Sequence, residues 1–205
     1  DGVPDALRLA TPLPVGDLPG FATGDVSIQD AAAQIAGRWL MVDAPRRVLD
    51  ACAAPGGKSG HLLELGGEGF DLTALDSDKN RLERVRENHA RLGLDATIIA
   101  GDASKPGEWW DGRPFDAILL DAPCSNLGVL RHNPEAKYRI SREHLKALSQ
   151  RQLHMLTTLA PALKRGGTLV YSVCTVSEEE TTGVVLPFLQ RNPDFHAKTF
   201  KEDEA

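Results

Sequence analysis

Short apolar segments alternate with longer segments of helical pattern along most of this 205-residue chain. The short segments are rich in Val, Ile and Leu and are predicted to be strands, whereas the longer ones repeat apolar residues at helical spacing. Strands separated by helices favour a mostly parallel sheet with helices on both faces, which is an α/β fold. The predicted strands are residues 46–51, 71–76, 96–102, 115–123 and 167–174.

The segments between the predicted strands carry residues that begin or end helices. Gly93 follows a helical pattern and is typical of a C-terminal cap, whereas Ser177 and Glu180 have the spacing of an N-terminal capping box. Five helices are therefore predicted: directly after Asp30, from Gly56 to about Leu65, up to Gly93, from about Ser141 to Lys164, and from Ser177 to Gln190.

Length and composition favour a single domain of ordinary size. Residues 1–25 are rich in Pro and Gly and are predicted to be an extended lead-in to one folded domain over residues 26–205. Without a membrane-length apolar run or a signal-peptide pattern, the chain is expected to be cytoplasmic. Its three cysteines lack metal-ligand spacing and fit a reducing compartment. The net charge of −6 means that any contact with nucleic acid needs a local basic patch or another domain.

Acidic residues and cysteines fall at the carboxyl ends of all five predicted strands. In open parallel sheets, ligands bind beyond these ends, near the point where the strand order reverses. Such a distribution is hard to attribute to chance, and it favours one ligand site at this edge of the sheet. The residues concerned are Asp50 to Lys58, Asp76, Asp102, Asp121 to Cys124, and Cys174.

The loop after the first strand, LDACAAPGGKSG, consists largely of small residues. Such residues let the backbone approach a ligand, and the following helix offers free N–H groups. A phosphate-binding loop would need Gly at position 52, where this chain has Cys. The dinucleotide fingerprint also fails, because the glycines stand at 56, 57 and 60.

Asp76 and Asp102 end the second and third predicted strands. A carboxylate at the first position can accept both ribose hydroxyls of a nucleoside, and one at the second can accept an adenine amino group. Either residue alone is more often a helix cap or a turn residue. Together, behind a glycine-rich loop, they favour an adenosine-containing cofactor without a pyrophosphate, such as S-adenosyl-L-methionine.

Cys124, in the order Asp-Ala-Pro-Cys, and Cys174 follow two successive predicted strands. A thiolate that adds to carbon 6 of cytosine activates carbon 5 towards a methyl donor. Asp121 could be the acid at ring nitrogen 3 if an apolar setting keeps it protonated, and the second thiol could assist release. Two small buried residues are the alternative interpretation. The order of the residues does not decide which thiol attacks.

Basic residues outnumber acidic ones by six to two over residues 131–151. This strip could contact phosphates, although the part after Ser141 is equally well explained as a solvated helix face. The residues directly after the Cys124 loop are the favoured substrate contacts, namely Arg131, His132 and Lys137.

The chain closely resembles the RsmB (Sun/Fmu) branch of the NOL1/NOP2/Sun RNA cytosine-5 methyltransferases. The resemblance is carried by VSIQDAAAQIA, VLDACAAPGGKSGHLLE, GDAS, FDAILLDAPCSNLGVLRHNPEAKYRI and GGTLVYSVCTVSEEE. It implies a Rossmann-like methyltransferase fold, S-adenosyl-L-methionine as methyl donor and ribosomal RNA, most often of the small subunit, as substrate. It also implies that Cys174 is the nucleophile and that Cys124 acts in product release. The cofactor contacts that it implies are Cys52, Ala53, Ala54, Pro55, Gly56, Gly57, Lys58, Asp76, Asp102 and Asp121.

The resemblance also implies that this chain is a catalytic-domain fragment. The family's N-terminal RNA-binding domain and the last strands of its fold have no counterpart in the sequence, which would account for the acidic balance. Four other functions remain alternatives: cytosine-5 methylation of tRNA, a DNA cytosine-5 methyltransferase with its nucleophile in Pro123-Cys124, an amino-group methyltransferase, and a non-catalytic RNA-binding assembly factor. The amino-group enzyme explains neither thiol.

Overall fold

Five parallel strands form one sheet in a computed structural model that describes residues 6–131, 134–135, 138 and 140–199. The strands are β1 (Arg47–Ala51), β2 (Asp71–Asp76), β3 (Thr97–Ala100), β4 (Phe115–Asp121) and β5 (Leu163–Ser172). Their order across the sheet is β3-β2-β1-β4-β5, and every neighbouring pair is parallel. The predicted α/β class with a parallel sheet is therefore confirmed.

Helices connect the strands and begin and end at recognisable residues. The Asp78 carboxylate accepts backbone N–H groups at the start of α3, and Gly93, with φ of 66°, ends it as predicted. Only glycine adopts this left-handed conformation without strain. The helices of eight or more residues in the described part are α1 (Ala31–Met41), α2 (Gly57–Gly66), α3 (Lys79–Leu92), α4 (Arg142–Leu159) and α5 (Thr182–Arg191).

The apolar side chains of the sheet pack against helices on both faces. In β4, Ile118 and Leu120 pack with α4 and α5, whereas Ala117 and Leu119 pack with α1 and α2. Leu82 attaches α3 to the same face as α1 and α2. All five side chains are at most 1% exposed, so truncating any of the leucines would cost about 2–5 kcal/mol.

The boundary between α4 and β5 differs from the prediction. The helix ends at Leu159 instead of Lys164, and a 3-10 turn containing Pro161 leads directly into the strand. Proline lacks the N–H that would continue the helix. The strand begins at Leu163 instead of Gly167, so Gly166 also lies inside it. The pairing with β4 is irregular here, and a Cβ at Gly167 would lie 2.6 Å from the Asp116 carbonyl oxygen.

The predicted capping box at Ser177 and Glu180 is wrong. The Ser177 hydroxyl donates to the carboxylate of Glu179 at 2.5 Å instead of capping a helix. A 3-10 turn follows, and α5 begins only at Thr182. The side chain of Glu180 is fully buried, and hydrogen bonds from donors in the core compensate for its burial.

The second half of the lead-in, residues 1–25, packs against α3. The Arg91 guanidinium lies 4.1 Å from the centroid of the Phe21 ring and donates to the carbonyl oxygens of Phe21 and Val26. Gly24 approaches so closely that a Cβ there would lie 2.0 Å from the Arg91 carbonyl oxygen. Within the described residues, no helix combines the length and the apolar character needed to cross a bilayer.

Candidate active site

The loops after β1 and β4 meet at the carboxyl edge of the sheet, where the strand order reverses. The two strands are neighbours in the sheet. Lys58, at the start of α2, places its ammonium group 2.8 Å from the carboxylate of Asp121 at the end of β4. A charged partner therefore lies beside Asp121, and the apolar setting considered for that carboxyl is absent.

The loop after β1 turns sharply at two left-handed residues. Cys52 has φ of 67° and Gly56 has φ of 103°. Burial raises the pKa of the Cys52 thiol to about 12, so this cysteine stays protonated at neutral pH. A Cβ at Gly57 would meet no atom within 4 Å, and the first turn of α2 therefore leaves space for a ligand.

Asp76 is 3% exposed and faces the same loop. One carboxylate oxygen accepts the backbone N–H of Ala54 at 3.1 Å, and the other accepts that of Asp78 at 3.0 Å. A carboxylate oxygen can accept two hydrogen bonds, so each retains capacity for a hydroxyl donor. The pair of ribose hydroxyls of an adenosine fits this acceptor.

Asp102 lies two residues beyond β3. Its Oδ1 accepts both the backbone N–H and the hydroxyl of Ser104, at 2.9 and 2.7 Å. Although burial raises the pKa of Asp102, the hydrogen bonds from Ser104 outweigh it and hold the pKa below its usual value. Asp102 is therefore ionised at neutral pH, and its Oδ2 can accept a donor such as an adenine amino group.

Asp50 is a buried acid for which no specific role was predicted. Its side chain is fully buried, and neither carboxylate oxygen has a hydrogen-bond partner among the described residues. Burial, followed by the charge of Asp121, raises its pKa well above the usual value. The acid beneath the loop after β1 is therefore one whose burial favours its neutral form.

The two cysteines of the strand ends lie side by side as free thiols. Their Sγ atoms are 3.1 Å apart, and Cys174 is exposed whereas Cys124 is half-buried. The contact between the two sulfurs lowers the pKa of the Cys124 thiol to about 7 and raises the pKa of Cys174. The first proton leaves a coupled pair near neutral pH, and the remaining proton is shared between the two sulfurs.

Glu180 fixes the loop that carries Cys124. Its carboxylate accepts the backbone N–H of Ser125 at 2.9 Å, the Ser125 hydroxyl, and the Gln152 amide at 2.9 Å. The same Gln152 amide also donates to the carbonyl oxygen of Pro123 at 2.9 Å. Sequence reasoning missed this network; the available signal was a polar Gln152 on the apolar face of a predicted helix.

The predicted substrate strip is only partly described. Arg131 is exposed, and Arg142, Lys146 and Arg151 are exposed along α4. His132 and Lys137 lie outside the described residues. No group of three or more His, Cys, Asp and Glu side chains able to hold a metal ion occurs in the described part of the chain.

Comparison with known protein families gives one consistent result. The model of the family described as 16S rRNA methyltransferase RsmB/F matches residues 38–205. Ribosomal RNA small subunit methyltransferase B of Vibrio cholerae is 49% identical over 190 residues, which cover 93% of this chain and 44% of that protein. The protein of the same name from Pseudomonas syringae pv. tomato is 49% identical over 187 residues, 91% of this chain and 42% of its own length. The chain thus spans less than half the length of these curated relatives.

Two solved structures share the fold over most of the chain. NSun6 from Pyrococcus horikoshii, crystallised with SFG, superposes with a TM-score of 0.79 at 34% identity, covering 87% of this chain and 46% of that one. A methyltransferase homologue from the same organism gives a TM-score of 0.75 at 32% identity, covering 89% and 56%. The predicted Rossmann-like methyltransferase fold is therefore confirmed.

Proposed function

We propose, from the premise that this chain belongs to the RsmB/F family of 16S rRNA methyltransferases, that it methylates carbon 5 of a cytosine in small-subunit ribosomal RNA. The observation that carries the proposal is the pair of thiols, Cys124 and Cys174, 3.1 Å apart beside the Lys58–Asp121 ion pair. Methylation of an amino group needs no covalent catalyst and leaves this pair unexplained.

The methyl donor is S-adenosyl-L-methionine, which supplies an electrophilic methyl group when bound. SFG, held by the NSun6 structure, is an analogue of this cofactor. In this chain Asp76 would accept the ribose hydroxyls and Asp102 the adenine amino group. The backbone of the loop from Cys52 to Lys58, together with Asp121, would hold the rest of the molecule. The residues Ala53, Ala54, Pro55, Gly56 and Gly57 of this loop include no long side chain that would keep a ligand away from the backbone.

Cys174 would be the nucleophile, because its side chain is the exposed member of the pair. Its proton would leave for solvent, which the exposed side chain reaches, and the Cys174 sulfur would then bond to carbon 6 of the cytosine. Asp121, paired with Lys58, would accept a hydrogen bond from the amino group of the cytosine and so position the ring. Once carbon 5 carries the methyl group, a base removes its proton and the sulfur–carbon bond breaks, which returns the Cys174 thiolate. Cys124 would assist this release.

The RNA would lie along Arg131, His132 and Lys137, directly after the Cys124 loop. A chain with a net charge of −6 offers little general attraction to phosphates. We therefore propose that residues 26–205 are the catalytic domain and that the whole protein uses a separate RNA-binding domain for most of its RNA affinity. Action on ribosomal RNA would place the protein in the cytoplasm.

Bisulfite sequencing of ribosomal RNA tests the proposal. Deleting the gene should convert one methylated cytosine of 16S rRNA to an unmodified one, and the wild-type gene should restore it. Complementation with Cys174→Ala should not. If 16S rRNA kept every methylated cytosine while a tRNA lost one, the substrate would be tRNA. Retention of all these methyl groups would favour a non-catalytic assembly factor.

A further inference from the structure

The side chain of Asn126 lies against both sulfurs of the cysteine pair. Its Oδ1 is 2.8 Å from Sγ of Cys174 and 3.7 Å from Sγ of Cys124. The amide is therefore in direct contact with the atom that would attack the cytosine. The resemblance to known methyltransferases gives roles to the cysteines and to Asp121, but it gives none to this amide.

The loop around Asn126 holds the amide firmly. The preceding residue, Ser125, is bound by the buried carboxylate of Glu180, and the N–H of Gly128 donates to the carbonyl oxygen of Cys174 at 3.1 Å. Asn126 itself has φ of 61° and ψ of 20°, in the left-handed region. Glycine would satisfy this backbone at lower cost, so the turn alone does not call for an amide side chain.

An amide can serve both protonation states of a thiol. When Cys174 is protonated, its S–H donates to Oδ1 of Asn126. When the proton leaves for solvent, which the exposed side chain of Cys174 reaches, a half-turn of the amide brings Nδ2 to the sulfur. Nδ2 carries two N–H donors, and hydrogen bonds to a charged acceptor are stronger than those between neutral groups.

We propose that Asn126 is a catalytic residue that stabilises the thiolate of Cys174 by donating an amide N–H to it. This role deepens the proposed function and rests on Cys174 being the nucleophile. The amide accepts the thiol hydrogen in the resting protein and reverses its hydrogen bond when the sulfur becomes charged.

The charged groups around the pair oppose the ionisation that such a donor would favour. Asp121 faces Cys174 and disfavours its thiolate, although Lys58 neutralises part of that charge. The buried Glu180 acts in the same direction on Cys124. The contact with Cys124 also raises the pKa of Cys174, whereas a hydrogen bond from the backbone of Cys174 lowers it. The amide of Asn126 thus adds a neutral side-chain donor beside a sulfur whose acidic neighbours oppose ionisation.

Alkylation of Cys174 by iodoacetamide tests the proposal without RNA or cofactor. In this reaction the thiolate sulfur bonds to the methylene carbon and iodide leaves, so the rate follows the thiolate fraction. The rate at Cys174 is measured in the whole protein between pH 6 and 10 by mass spectrometry of the labelled peptide. Cys52, whose pKa burial raises to about 12, is an internal reference for slow labelling.

Two variants separate the amide from the turn. Asn126→Gly keeps the left-handed backbone and removes the donor, and it should slow alkylation of Cys174 at pH 7 about tenfold by raising its apparent pKa by about one unit. Asn126→Asp keeps the shape but replaces the donor with a negative charge, so it should slow alkylation further. Asn80→Gly, which removes an exposed amide on α3, should leave the rate unchanged.

Unchanged alkylation profiles in both Asn126 variants would overturn the proposal, because they would leave Asn126 with a turn role only. Melting temperatures identify any variant that has lost its fold, and Asn126→Asp then provides the measurement if Asn126→Gly is unstable. The outcome is also independent of the proposed function. A shifted alkylation profile with no methyl transfer to any RNA would support the thiolate role and contradict the methyltransferase assignment.

Discussion

The carboxylate of Glu180 accepts a hydrogen bond 2.9 Å long from the backbone N–H of Ser125, the residue after Cys124. Glu180 itself follows Cys174 by six residues. One buried acid therefore ties together the two loops that carry the thiols. Because Gln152 of α4 donates both to this carboxylate and to the carbonyl oxygen of Pro123, the bond also fixes the loop against the core.

Glu180→Ala should destabilise the protein and misplace Cys124. The substitution leaves the donors of Ser125 and Gln152 buried without an acceptor, which costs about 3 kcal/mol of unfolding free energy. Urea unfolding measures this loss, and methyl transfer should also slow. The control is Glu178→Ala, an exposed neighbour in the same turn, which should stay within about 0.5 kcal/mol of the wild type. Equal stability of the two variants would mean that the Glu180 network is not formed in solution.

Asp76→Ala should weaken the binding of S-adenosyl-L-methionine by about 1–3 kcal/mol, because it removes the acceptor for the ribose hydroxyls. Isothermal titration calorimetry measures the change in affinity. Asp71→Ala, at the exposed opposite end of β2, is the matched control and should bind the cofactor normally. An unchanged affinity in Asp76→Ala would contradict the ribose assignment.

Variants that lack one or the other thiol should be blocked at different steps of the reaction. Cys174→Ala should abolish methylation and form no covalent RNA adduct, because no sulfur remains to attack carbon 6. Cys124→Ala should still attack and carry out methyl transfer but release RNA slowly. A protein–RNA adduct should then accumulate on a denaturing gel. Accumulation of the adduct in the Cys174 variant instead would make Cys124 the nucleophile.

The strands and the edge of the sheet that carries the site could be predicted from the sequence, whereas the contacts that organise the site could not. Apolar runs give β2 its observed bounds of Asp71 to Asp76, and parallel strands necessarily bring their carboxyl ends to one edge. The start of β5 was missed because its glycines resemble a helix end but serve an irregular pairing with β4.

The roles of Glu180 and Asn126 depend on partners far away in sequence. Glu180 bonds to Ser125 across 55 residues, and Asn126 contacts Cys174 across 48. The capping-box spacing is a local pattern, and it predicts that the Glu180 side chain bonds to a nearby backbone N–H. In the folded protein this side chain bonds instead to the buried donors of Ser125 and Gln152. The motif residues can be predicted because their spacing is local. The residues that position them can be identified only from the three-dimensional structure, in which distant loops come into contact.

Asp50→Asn should change how stability depends on pH. The unfolded chain ionises Asp50 at a pKa of about 3.9, whereas burial raises the pKa of this group in the folded protein. Below about pH 4 both states are protonated and the contribution of Asp50 to stability is fully present. As the pH rises towards the folded pKa, the unfolded state releases the proton while the folded state keeps it, so stability is lost.

Asparagine cannot ionise, and the variant should not show this loss. The unfolding free energy of Asp50→Asn minus that of the wild type should therefore increase between about pH 4 and 7, by at most about 1.4 kcal/mol per pH unit. Urea unfolding of both proteins at several pH values gives this difference. The contributions of all other titrating groups are the same in both proteins and cancel in the subtraction. Asp17→Asn, on the exposed surface, should differ from the wild type by less than about 0.5 kcal/mol throughout. A difference for Asp50→Asn that stays constant with pH would mean that the folded protein holds Asp50 ionised, and that the loop after β1 stabilises a charge instead of covering a neutral acid.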